Sequence, residues 1–274
     1  MNYAIHVCEV YLNAVNEIKS DADSNNDIMT GLRRFIEYLK SSVSFTAPAA
    51  FTLSNNTAKV LRHLALRNVA PLDANLSLVY SLPDIIKLAI EASIFFDYDL
   101  VIARQNELLA LFNAPKPQSI PARCQRGTTP ANPYVKPDYA GNNAPNAIIK
   151  GHTGYTVTGK NAKLANFRIS HVWGQASNPG FFTSLWNIVL VPAWANYLMD
   201  LQTPPAGSLA SQMQNTIKAI CDRLYGMASL NLSGLNIAST PSYDLREVLP
   251  GGYAINIICD RGSHKLGSIV KQVV

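Results

Sequence analysis

Between Arg168 and Asp200 the chain carries no Lys, Arg, Asp or Glu, and all three tryptophans (Trp173, Trp186 and Trp194) fall inside that interval. A run this long without charge must be buried in a core or cross a bilayer, so it dictates where the fold has its centre. Residues 181–199 are long enough to span a membrane. Thr183, Ser184, Asn187, Pro192 and Asn196 interrupt them, however, and no basic clusters flank them. A buried element of a globular fold is the expectation, with no membrane as partner.

Three pieces are legible in the stretch 165–200. Residues 166–173 alternate, with Phe167 and Ile169 on one side, as a strand does. Residues 174–183 hold Asn178-Pro179-Gly180, a turn signal. Residues 185–191 are rich in β-branched and aromatic side chains and predict a second strand. Pro192 suits the first position of a helix, where a missing N–H costs nothing, and the helix is expected over 193–199.

Strand, loop, strand and helix, with His171 ending the first strand, Asn187 in the second and Asn196 on the helix, resemble the ββα-metal finger of the HNH (His-Me finger) nucleases. The step of nine residues from Asn187 to Asn196 is the family's, and the step of sixteen from His171 to Asn187 lies in its usual range. The resemblance implies His171 as general base and Asn187 as the residue that bonds across the hairpin to aim it. It implies a metal held at Asn196. Many members place an acid or His ligand where this chain has Ser170, and Asp200, four residues after Asn196 on the same helix face, can supply the missing oxygen. The implied cofactor is Mg²⁺ or Mn²⁺, since a hard cation keeps several waters and needs one or two protein oxygens. No structural zinc is expected, because no Cys-x-x-Cys pair exists.

Phosphodiester hydrolysis explains these residue types. Activating water calls for a base with a pKa near neutrality, which His supplies unperturbed. Charge developing on the phosphoryl group and the leaving oxygen calls for a cation. Taken singly, a His on a strand is a packed or surface residue. Two Asn in apolar surroundings are harder to explain without a task, since a buried amide without partners is costly.

Charge is segregated along the chain. Of a net +5, the interval 114–199 contributes eight basic residues (Lys116, Arg123, Arg126, Lys136, Lys150, Lys160, Lys163 and Arg168) against one acid, Asp138. A basic field beside a phosphodiester site suits a polyanion, here duplex DNA, with Arg123, Arg126, Lys136, Lys160, Lys163 and Arg168 as the expected contacts. Solvated cations that merely keep an apolar segment soluble are the alternative.

The fold class expected is α+β, with a helical N-terminal half followed by a C-terminal half containing the ββα-metal finger. Residues 1–113 read as helices over 3–19, 27–39, 55–67, 82–96 and 100–112, with His6 and His63 as structural or surface residues. Residues 114–149, rich in Pro and Asn, read as a basic linker or extended loop. Residues 150–274 hold a strand at 155–158, the finger, a helix over 209–227 capped by Ser208 and a strand over 253–259. His152 reads as a surface residue. The run Asp260-Arg261-Gly262-Ser263-His264 has one residue too many for the Asp-Arg-Gly-His of the non-specific nucleases, which leaves Arg261, His264 and Lys265 as phosphate contacts at most. Four unpaired cysteines and the absence of a secretory leader suit the cytoplasm. The functional expectation is a metal-dependent DNA endonuclease, of restriction or other defence type and homodimeric for duplex cutting. A non-catalytic nucleic-acid-binding or helical interaction protein with a degenerate finger is the alternative.

Overall fold

The computed structural model of the protein describes residues 81–115, 119–127, 130, 134–159, 161–262 and 266–274. The helices expected before residue 81 lie outside the described residues, as do Lys116, Lys160, His264 and Lys265. In chain order, α1 (Ser81–Ala92) leads into β1 (Ile94–Phe96) and α2 (Tyr98–Phe112). Two short strands, β2 (Ile120–Arg123) and β3 (Val135–Asp138), precede α3 (Asn143–Thr153). Next come β4 (Phe167–His171), α4 (Pro179–Phe182), β5 (Ile188–Pro192) and α5 (Asn196–Asp200). The chain closes with α6 (Leu209–Tyr225), β6 (Ala254–Ile258) and β7 (Ile269–Val273). The architecture is mixed α+β.

One five-stranded sheet, in the order β4-β5-β1-β6-β7, carries the core. β5 runs antiparallel to both β4 and β1, whereas β1 and β6 are parallel. All five residues of β5 are buried, which explains the charge-free interval: a strand covered on both faces has no polar side. Trp186, just before it, is fully buried and meets Phe181 edge-on with ring centroids 5.1 Å apart. Among the described residues, no helix is long and apolar enough to cross a membrane.

The first half contributes a strand as well as helices. A helix was expected to run through Phe96, but α1 stops at Ala92 and Ile94–Phe96 enters the sheet between β5 and β6. Two side chains end the helix. The Ser93 hydroxyl donates to Ala89 O (2.7 Å), and Asn256 of β6 donates to Glu91 O and Ser93 O. The orphan carbonyls of the last turn are thus satisfied by a strand distant in sequence.

The Pro/Asn-rich interval also differs from expectation. It is not a loop throughout: β2 and β3 pair in parallel, and α3 begins at Asn143. Pro145 is tolerated there because it stands in the first turn. Asp138, the single acid of the basic segment, is buried and accepts from Ala140 N, Gly141 N and Ala144 N. Its charge is turned onto backbone donors at the start of α3. Asp138→Ala should therefore lower stability by about 2 kcal/mol, read from the urea midpoint at unchanged slope; a shift below ~0.5 kcal/mol would show that the carboxylate caps nothing of consequence. No strand forms at 155–158. There Asn146 Oδ1 accepts from Val157 N (2.9 Å) and holds the segment as a turn. α6 forms as expected, capped by the Ser208 hydroxyl (Ser211 N, 3.2 Å) and closed by Gly226 at φ 58.

Candidate functional site

The site lies at the C-terminal end of β4. Beyond it Gly174 and Gln175 take φ values of 66 and 51, so two successive left-handed residues turn the chain out of the strand. The turn expected at 178–180 is the start of α4. Asn178 Oδ1 accepts from Gly180 N (2.8 Å) and Pro179 occupies the first helical position. Gly180 must lack a side chain, since a Cβ there would collide with the Leu235 carbonyl.

A helix of four residues leaves its carbonyls without helical partners. Here side chains take them one after another. Ser184 Oγ donates to Gly180 O (2.6 Å), Asn187 Nδ2 to Phe181 O (3.1 Å), His171 Nε2 to Phe182 O (2.9 Å) and Arg104 Nε to Thr183 O (3.1 Å).

Asn187 precedes β5 instead of lying inside it, in a single 3₁₀ turn, and is fully buried. Its Oδ1 accepts from Trp173 N (2.8 Å), and its Nδ2 donates also to Gly174 O (3.2 Å). One amide therefore ties the end of β4, the left-handed turn and α4 together. This is the cross-hairpin bond expected of it.

His171 is held on two sides. Its ring stacks on Phe182 with centroids 5.4 Å apart and planes 15° from parallel. A carbonyl can only accept, so Nε2 carries a proton and Nδ1 keeps the lone pair of the neutral ring. Burial, together with the positive charge of Arg123, pushes its pKa below the ordinary 6.5, against the raising effect of the Phe182 carbonyl. At neutral pH the imidazole is a base.

Ser170, Asn196 and Asp200 form a second cluster. Ser170 Oγ donates to Asn196 Oδ1 (3.1 Å) and Asn196 Nδ2 donates to Asp200 Oδ2 (2.6 Å). Neighbouring residues of a strand point to opposite faces, and His171 Nε2 bonds Phe182 O in the following loop. No group of three or more His, Cys, Asp or Glu is gathered among the described residues. The donor set here is one carboxylate, one amide oxygen and one hydroxyl. That chemistry fits a hard cation that keeps most of its waters, and does not fit zinc.

The expected phosphate contacts are dispersed. Arg123, Arg126, Lys136, Lys163 and Arg168 are all exposed. Arg123 is the best placed, because its backbone N–H bonds Ala176 O (2.8 Å) in the loop after β4, and β2 packs on α4. Lys136 stands opposite Pro121 in the β2–β3 pair. Arg168 folds back onto the carbonyls of Ala165 and Phe167. His152 bonds Glu107 (3.2 Å) and not the site.

Arg104 escaped the reading of the sequence. It shares the core-facing stripe of α2 with Leu100 and Leu108, four residues to either side, and is itself buried. An arginine on an apolar stripe was the available signal.

Residues 131–239 match the family described as "Uncharacterised protein PM1201". The chain is 37% identical over 62 residues to "Uncharacterized protein PM1201" of Pasteurella multocida, a match covering 23% of this chain and 26% of that protein. The chain thus spans about a quarter of the length of the curated relative it matches. No solved structure matches the chain. His171, Asn187, Asn196 and Asp200 all fall inside the interval that matches the family.

Proposed function

We propose that the chain is a metal-dependent endonuclease that hydrolyses DNA phosphodiester bonds, with β4, the loop to Asn187, β5 and α5 acting as a ββα-metal finger. One observation carries this reading. The buried Asn187 amide bonds backbone on both sides of the loop whose Phe182 carbonyl holds His171, as a hairpin built to aim a base requires.

In that reading His171 Nδ1 takes the proton of the attacking water, and the proton on Nε2 keeps the ring oriented through Phe182 O. Asn196 and Asp200 would hold Mg²⁺ or Mn²⁺, with Ser170 beside them. A cation held there would supply positive charge for the phosphoryl oxygens and the leaving 3′ oxygen. Arg123, Arg126 and Lys136, on the β2–β3 segment against the finger loop, attract the DNA backbone. Duplex cutting with one finger per chain calls for a homodimer, and a restriction or other defence role suits such an enzyme by analogy alone.

Plasmid cleavage with Mg²⁺ or Mn²⁺, repeated in excess EDTA, tests the proposal. Cleavage is expected only with metal, and Asp200→Ala and Asn196→Ala should each raise the metal concentration needed. Two observations favour a non-catalytic DNA-binding protein instead: the Asn196–Asp200 cluster joins β4 through Ser170, whose side chain takes the opposite face from His171, and Ser170, where an acid would bind metal, spends its hydroxyl on Asn196. DNA binding without cleavage in either metal would establish that reading.

A further inference from the structure

Arg104 belongs to α2, far in sequence from β4, yet its guanidinium reaches the loop that holds His171. Nε donates to Thr183 O (3.1 Å), Nη2 to Thr183 Oγ1 (2.7 Å) and Nη1 to Glu107 Oε2 (2.8 Å). Arginine and Thr183 are both buried, at 4% and 0% exposure. Burying a guanidinium costs several kcal/mol unless every donor is used, so its presence demands a reason beyond packing.

We infer that Arg104 is a positioning residue for His171, clamping Thr183, the residue next to Phe182, so that the Phe182 carbonyl stays where it orients the imidazole. Thr183 follows Phe182 directly, and its Cα ends the rigid peptide plane that carries the Phe182 carbonyl; Arg104 holds Thr183 by its own carbonyl and its hydroxyl, the two groups beyond that Cα. The planar fork grips two acceptors of one residue, which removes rotation about the loop that a single bond would leave. Glu107 fixes the outer edge of the guanidinium, and His152 of α3 braces Glu107 in turn (3.2 Å). The base is thereby tied to α2 and α3, outside the finger itself.

The catalytic part of this inference rests on His171 being the general base; the positioning part does not. The test is the tautomer of His171 in the full chain, read from ¹⁵N–¹H spectra of histidine-labelled protein. The spectrum of His171→Ala assigns the signal among the five histidines. In the unaltered protein the proton is expected on Nε2. Arg104→Lys keeps the charge but loses the fork, and should move His171 toward a mixture of tautomers. Cleavage at saturating DNA should fall ~10²-fold while metal-free DNA affinity stays unchanged. Thr183→Val, which deletes one acceptor, should act in the same direction with a smaller effect, and decides the matter if Arg104→Lys does not fold. Glu107→Gln leaves the Thr183 bonds in place and should leave the tautomer alone. An unchanged tautomer in both Arg104→Lys and Thr183→Val overturns the inference, as does a proton on Nδ1 in the unaltered protein. Should the tautomer shift in a protein that never cleaves DNA, Arg104 positions His171 and the nuclease reading is what fails.

Discussion

His171→Ala is expected to abolish DNA cleavage and to leave the fold and DNA binding nearly intact. Losing a general base costs ~10²–10⁴-fold in rate. The ring stacks on Phe182 and donates one hydrogen bond, so its removal should leave the loop between β4 and β5 folded, with the Phe182 carbonyl open to water. The pH profile follows from the depressed pKa. The base works when neutral, so cleavage should be level above about 6.5 and fall only below it, as protons occupy Nδ1. Stability moves the same way. A group whose folded pKa is lowered favours the unfolded chain when protonated, so stability is full above 6.5 and declines as pH drops toward the folded value. The inactive protein also isolates binding. Its affinity for duplex DNA should fall steeply with salt, each neutralised phosphate adding ~0.9 to the slope of log K on log salt, and replacing Arg123 and Arg126 together should flatten that slope. Full activity in His171→Ala would remove the finger reading altogether.

Asn187→Asp should be the most damaging single change for stability at the site. The new carboxylate could still accept from Trp173 N, but it cannot donate to Gly174 O and Phe181 O, and would face both carbonyls as a buried charge. Each buried polar group left without a partner costs ~1–3 kcal/mol and a buried charge costs more, so a loss of about 4 kcal/mol is expected. Thermal unfolding reads it directly. The loop from Gly174 to Phe182 should lose amide protection first, since Asn187 is what ties its two ends. Asn187→Asp unfolding within 1 kcal/mol of the unaltered protein would show that the buried amide does not hold the hairpin.

Part of the local structure was legible in the sequence. Phe167–His171 forms a strand at the expected place because alternation specifies a face locally. α6 begins at its Ser cap and ends at its Gly because capping chemistry is local as well. The spacing of His171, Asn187 and Asn196 placed each on its expected element or within a residue of it. Asn187 falls one residue ahead of β5 because its side chain turns back into the loop and draws its backbone into a tight turn.

What escaped the sequence depended on partners distant along the chain. Ile94–Phe96 continues a helical pattern and becomes a strand only because Asn256 takes the carbonyls that would have extended α1. Asn143–Thr153 is the exception: a Pro/Asn-rich run hides a local device, the Asp138 carboxylate that accepts from Ala144 N in the first turn. Arg104 looks like any helix cation until Thr183 is brought to it from the loop between β4 and β5. The sequence by itself determined the buried interval, the strand that ends in His171 and the two asparagines, because periodicity, capping and spacing act over a few residues. The tertiary structure alone decided the central strand and the buried arginine, because each satisfies polar groups across long stretches of chain, and no local pattern records where such a partner will arrive.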